Sequence, residues 1–110
     1  QIVREENGLA MSSRNKRLSS QQIQIASNIY KALQIAEKML KTHTPEQIQS
    51  QIQMFFSEIK EIELEYFEIA DAYTLEHITD LQKHSQPKAL CIAAFVGEVR
   101  LIDNLWVENI

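Results

Sequence analysis

Ala89-Leu90-Cys91-Ile92-Ala93-Ala94-Phe95-Val96-Gly97-Glu98-Val99-Arg100-Leu101-Ile102-Asp103-Asn104-Leu105-Trp106 decides the fold. The first eight residues are apolar without a break. A run of that length reads as a central strand. Gly97 permits a reversal, and Val99–Trp106 returns as the hairpin partner. Within this hairpin Cys91 reads as a reduced, buried core thiol, and Phe95 and Trp106 read as core aromatics.

Working outward, a third strand is expected over about residues 64–70. Glu61-Ile62-Glu63-Leu64-Glu65-Tyr66 alternates at period two, slips at Tyr66-Phe67 and resumes through Ile69. The slip is either a bulge or the point before which no strand exists. Glu61, Glu63 and Glu65 form one solvated face of the strand or its lead-in. Between the strands, Thr74–Ile78 reads as a short helical turn and Gln86-Pro87 as a loop.

Two helices precede the strands. Ser19 and Gln22 have capping-box spacing. Ile23, Ala26, Ile29, Tyr30, Leu33, Ala36 and Leu40 then recur at three and four, predicting one helix that ends near Thr42. Lys38 and Lys41 suit the negative end of its dipole. Thr44, Pro45 and Gln47 open the next helix. Its inner face is Ile48, Ile52, Phe55, Phe56 and Ile59. The short connection predicts an antiparallel helical hairpin. The fold class is therefore α+β: a small three-stranded antiparallel sheet covered on one face by helices.

The bulk numbers bound the rest. A chain of 110 residues supports one modest core. A net charge of −4 disfavours nonspecific attraction to nucleic acid or to an anionic membrane. No apolar run approaches the roughly 20 residues that span a bilayer, no secretory pattern is present, and a cytoplasmic home fits. His43, His77 and His84 are scattered without metal or triad spacing and read as surface or loop residues. Asp71, Asp80 and Asp103 form no paired-carboxylate arrangement, so no metal site is expected within the chain.

The chemistry concentrates near the other end. Leu9-Ala10-Met11-Ser12-Ser13-Arg14-Asn15 follows the Asn7-Gly8 turn and precedes the first helix start. Two hydroxyls and a guanidinium fork are groups that hold phosphate oxygens. Residue types alone leave loop and capping chemistry as the ordinary explanation of a Ser-Ser-Arg-Asn tetrapeptide.

The longer string narrows the choice. Val3-Arg4-Glu5-Glu6-Asn7-Gly8-Leu9-Ala10-Met11-Ser12-Ser13-Arg14-Asn15, with Leu18-Ser19 behind it, resembles the start of the C-terminal domain of the pantothenate synthetase (pantoate–β-alanine ligase) family. Val96-Gly97-Glu98-Val99-Arg100-Leu101-Ile102-Asp103-Asn104 resembles the last strand of that family. Gln1-Ile2 stands where the family usually has Pro-Thr.

The resemblance implies that residues 1–110 are the C-terminal, ATP-covering lid domain of a larger two-domain enzyme. Residues 1–18 would be its inter-domain lead-in and phosphate loop, a counterpart of the KMSKS loop of related nucleotidyl transferases. It implies that Ser12, Ser13 and Arg14 act on the phosphates of ATP, with Met11 and Val3 meeting the nucleotide through main-chain groups. Mg²⁺, pantoate and β-alanine would be held mainly by an N-terminal Rossmann-like domain that carries a His-x-Gly-His signature, absent here. The full-length protein would be a homodimer, and the isolated chain inactive. If about 170–190 residues precede Gln1, the size of a nucleotide-binding domain, the ligase reading holds. One rival is a noncatalytic α+β protein-interaction module; another is a superfamily member making a different adenylate. Arg100, Asp103 and Asn104 read as structural, a salt bridge and turn cap anchoring the C-terminal hairpin.

Overall fold

The computed structural model describes residues 3–108; Gln1 and Ile2, where the sequence departs from the family's Pro-Thr, lie outside the described residues. Element order is α1 (Ser20–Ala26), α2 (Asn28–Met39), α3 (Pro45–Ser57), β1 (Ile62–Asp71), β2 (Lys88–Val96) and β3 (Val99–Val107), with a 3-10 turn at Ser13–Arg17 before α1. The strands form one antiparallel sheet in the order β1-β2-β3. The expected α+β class and three-stranded sheet are what the chain adopts.

Both predicted capping boxes are made. Ser19 accepts from the Gln22 N–H while the Gln22 side chain accepts from the Ser19 N–H, and Thr44 and Gln47 repeat the arrangement. The predicted first helix is instead two abutting helices, α1 and α2, meeting at Ser27. The physical cause is local competition: Ser27 Oγ donates to the Gln24 carbonyl at 2.6 Å and Asn28 Nδ2 donates to the Ile25 carbonyl at 2.9 Å. Such side-chain bonds to a preceding turn divert or bend a helix.

The core lies between the helices and one sheet face. Leu90, Ile92, Ala94 and Val96 of β2 face Ala26, Ile29, Leu33 and Ala36 of α1 and α2, and Ile48, Ile52 and Phe56 of α3. The slip in β1 is a bulge. Ile62 and Leu64 pair with Val96 and Ala94, Glu65 is skipped, and Phe67 and Ile69 pair with Ile92 and Leu90. Even-numbered residues face the core before the bulge and odd-numbered ones after it, which is what a one-residue insertion at period two must do.

Three expectations are corrected. Thr74–Ile78 is not helical: Leu75 has φ of 63° and His77 bridges back to Ala70. Asp71 organises this turn, accepting at Oδ1 from the N–H groups of Tyr73 and Thr74. Trp106 and Phe95 are not core aromatics. They alternate with the core residues and so fall on the sheet face away from the helices, where Trp106 is 46% exposed. Cys91 shares that face and is half-buried. His84 lies in the loop between β1 and β2, as expected, with its side chain mostly covered and Nε2 at 3.0 Å from Asp71 Oδ2.

Candidate functional site

The chain before α1 folds back on itself. Gly8 N–H donates to the Glu5 carbonyl, Glu5 N–H to the Leu9 carbonyl and Met11 N–H to the Val3 carbonyl, closing a small hairpin at the Asn7-Gly8 turn. Gly8 has φ of 90°, a conformation that favours glycine. Leu9 and Leu18 plug this segment into the core. Between those plugs, Met11, Ser12, Ser13 and Arg14 stand exposed.

Ser12 is extended and caps the 3-10 turn, its Oγ accepting from the Arg14 N–H at 3.1 Å. That leaves its own O–H as a donor. Arg14 makes one weak tie to the body, Nη1 to the Arg100 carbonyl at 3.3 Å. The ion pairs among the described residues are Arg4–Asp103, Arg100–Glu65, His77–Glu68 and His84–Asp71. Arg14 belongs to none of them, so no described carboxylate offsets its charge. Behind it, Asn15 is 6% exposed and its Nδ2 donates to Glu5 Oε2 at 2.7 Å and to the Ala10 carbonyl at 2.9 Å.

The loop overhangs a groove of about 550 Å³ that it shares with Tyr66, Cys91, Ile102 and Asn104 on the open sheet face. The structure thus brings Met11, Ser12, Ser13 and Arg14 together on one rim. Val3 is exposed outside the groove lining, its carbonyl accepting from Met11 N–H. Burial and the nearby Glu68 carboxylate raise the Cys91 thiol pKa, which keeps it protonated and weakly nucleophilic. Among the described residues no three His, Cys, Asp or Glu side chains are placed to hold a metal.

The residues that hold the loop carry no signal of that role in the sequence. Arg4 forms a bidentate pair with Asp103, Nη1 to Oδ2 at 2.6 Å and Nη2 to Oδ1 at 3.1 Å. The same guanidinium donates to the carbonyls of Gly8 and Asn104 and lies 4.1 Å over the Tyr30 ring. Asp103 therefore anchors the N-terminal segment rather than the C-terminal hairpin, a correction to its expected role. Arg100 does brace the sheet, pairing with Glu65 at the bulge. Asn104 caps no turn; its N–H donates to Asp103 Oδ1 and its carbonyl accepts from Arg4. Arg4 and Asp103 both lie in the quoted strings, but nothing in a linear sequence pairs residues 99 positions apart.

A helix-backed sheet with a hydroxyl-and-guanidinium loop over a groove defines a small α+β domain that presents polar donors on a rigid support. Comparison with known proteins makes the family specific. The pantoate–β-alanine ligase family profile matches residues 1–106, and the chain belongs to that family. Pantothenate synthetase of Cytophaga hutchinsonii is 52% identical over 108 residues, covering 96% of this chain and 38% of the relative. That of Christiangramia forsetii is 42% identical over 108 residues, again covering 38% of its length. A crystal structure of pantothenate synthetase from Thermus thermophilus superposes with a TM-score of 0.82 at 30% identity, over 94% of this chain and 37% of that one. The chain therefore spans under two fifths of the length of these relatives. No helix among the described residues is long and apolar enough to cross a membrane.

Proposed function

We propose that this chain is the C-terminal, nucleotide-covering domain of a ligase that joins pantoate to β-alanine at the expense of ATP. In the first step a pantoate carboxylate oxygen attacks the α-phosphorus and the bond to the β-phosphate breaks. Pantoyl adenylate and pyrophosphate result. In the second step the amine of β-alanine attacks the acyl carbon, AMP leaves, and the amine gives up a proton. Negative charge grows on the α-phosphate and the departing pyrophosphate in the first step. Arg14, with Ser12 and Ser13 beside it, supplies donors to that charge as the KMSKS-like loop closes over ATP.

The observation that carries this reading is Arg14: exposed on the groove rim beside two hydroxyl neighbours, with a charge that no described carboxylate offsets. With Met11 N–H donating to the Val3 carbonyl, a main-chain contact from this pair to the nucleotide falls to the Met11 carbonyl, the Val3 N–H or the remaining lone pair of the Val3 carbonyl. Hydroxyls and a guanidinium are not the carboxylate set that Mg²⁺ asks for. The residues here do not fit as its ligands, and the ion belongs with an N-terminal nucleotide-binding domain, as do pantoate, β-alanine and the contacts of a homodimer. A cytoplasmic location accompanies this reading.

The test is Arg14→Ala in the full-length protein, read as pyrophosphate release in a single turnover with pantoate and ATP alone. Loss of one charge-stabilising donor lowers such a rate by about 10²–10³. A variant within about threefold of wild type, under 1 kcal/mol of barrier, rejects the assignment. Arg14→Lys restores only part of the rate, because lysine keeps the charge without the planar fork.

A further inference from the structure

We infer that Arg4 and Asp103 are a positioning clamp that sets where the Ser12–Arg14 loop stands over the groove; the inference rests on the phosphate-loop reading above. Asp103 occupies a core-facing place on β3, alternating with Val99 and Leu101, and its side chain is 3% exposed. A buried carboxylate must be paired, yet such a pair is weak evidence for stability, since apolar residues often serve as well. Geometry is what this pair supplies. One guanidinium, on a side chain 17% exposed, ties strand β3, the hairpin turn and α2 together. It grips Asp103 with both Nη atoms, donates to the Asn104 carbonyl on β3 and the Gly8 carbonyl at the hairpin turn, and rests on Tyr30 of α2.

The loop hangs directly from this point. Arg4 bridges to Ala10, and Met11 binds Val3, so the exposed stretch begins one residue past the clamped arm. Among the described residues, the side chain of Arg14 makes a single hydrogen bond, at 3.3 Å to the Arg100 carbonyl. The clamp therefore fixes the loop's direction, and Arg14 inherits it. A misplacement of about 1 Å in a catalytic group can cost about 10²-fold in rate.

Asp103→Asn and Arg4→Lys, made in the full-length protein, test this with two readouts. The first is single-turnover pyrophosphate release with pantoate and ATP, together with the KM for pantoate. The second is native tryptic cleavage after Arg14, Lys16 and Arg17, followed by mass spectrometry. Asp103→Asn is expected to lower release by about 10²-fold, the cost of a misplaced catalytic group, with the pantoate KM unchanged and cleavage faster than in wild type. Arg4→Lys falls between it and wild type, since lysine retains charge but not the fork. Release at the wild-type rate in both variants overturns the clamp, and so does lost release with unchanged cleavage. Should Asp103→Asn fail to fold, Arg4→Lys decides by the same criteria. A wild-type protein that releases no pyrophosphate rejects the ligase reading instead. Cleavage then judges the clamp by itself, and equal cutting of wild type and variants overturns it.

Discussion

The loop segment of residues 3–18 and the helix–sheet body of residues 19–107 are held by different forces. In the body, Leu33, Ile48, Ile52, Leu90 and Ile92 are fully covered, and the helices pack on a single sheet face. That attraction is non-directional and scales with area. The loop has two apolar plugs, Leu9 and Leu18, and otherwise hangs on directional bonds: the Arg4 fork, the Asn15 amide and the Met11–Val3 main-chain bond. The contrast teaches where each kind of damage shows. Removing carbon from the body costs stability and spares loop geometry. Disturbing one polar contact in the loop is expected to change where Arg14 stands more than it changes the packing of the body.

The largest expected effect breaks the body. Leu33→Ala, at a site with no exposure, is expected to destabilise by about 2–5 kcal/mol. Urea unfolding of the full-length protein measures it. Pyrophosphate release per folded molecule should stay close to that of wild type, and a matching loss of rate would erase the distinction between the two regions.

Gly8→Ala strikes the loop at its turn, where the Gly8 carbonyl accepts from the same guanidinium that grips Asp103. A Cβ there would lie 2.4 Å from Tyr30 Cδ2, and φ is already +90°. The backbone term alone is about 1–2 kcal/mol, and the Tyr30 ring under Arg4 must shift. We expect a clear fall in pyrophosphate release with a smaller change in the urea midpoint than Leu33→Ala. A midpoint shift as large as that of Leu33→Ala, with release intact, would show that Gly8 belongs energetically to the body.

The smallest effect sharpens the comparison within the body. The N–H groups of Thr74 and Tyr73, opposed by burial and helped by His84, hold the Asp71 carboxyl below its ordinary pKa. A depressed native value means stability that is present above the unfolded value, about pH 4, and lost as pH falls through the native one. Asp71→Asn keeps an acceptor for the turn but removes the charge. The stability gap between wild type and Asp71→Asn should therefore shrink as pH is lowered from about 5 to about 3. A gap independent of pH in urea melts would remove the charge from the account of this turn.

Much of the body is legible in the sequence because its signals are local. Ser19–Gln22 and Thr44–Gln47 cap helices by chemistry three residues apart, and the phase slip at Tyr66-Phe67 marks the bulge. The Ser12-Ser13-Arg14 triplet and its family string are equally visible. What stays hidden depends on facing. Ala89–Val96 is apolar on both sides of β2, so the sequence does not say which side the helices take, and reading Phe95, Cys91 and Trp106 as core residues puts them on the wrong one. Small residues explain the ambiguity: Ala89 and Ala93 are covered on the open face without needing a helix over them.

Sequence by itself determined most of the elements, the α+β class and the family, because periodicity, caps and motif strings are written in neighbouring residues. Tertiary structure alone decided that Asp71 meets His84 and that Arg4 meets Asp103 across 99 positions. Each of those is a pairing of polar groups in three dimensions. A buried charge or donor takes whichever partner the packed core brings within reach, and that partner has no fixed spacing along the chain.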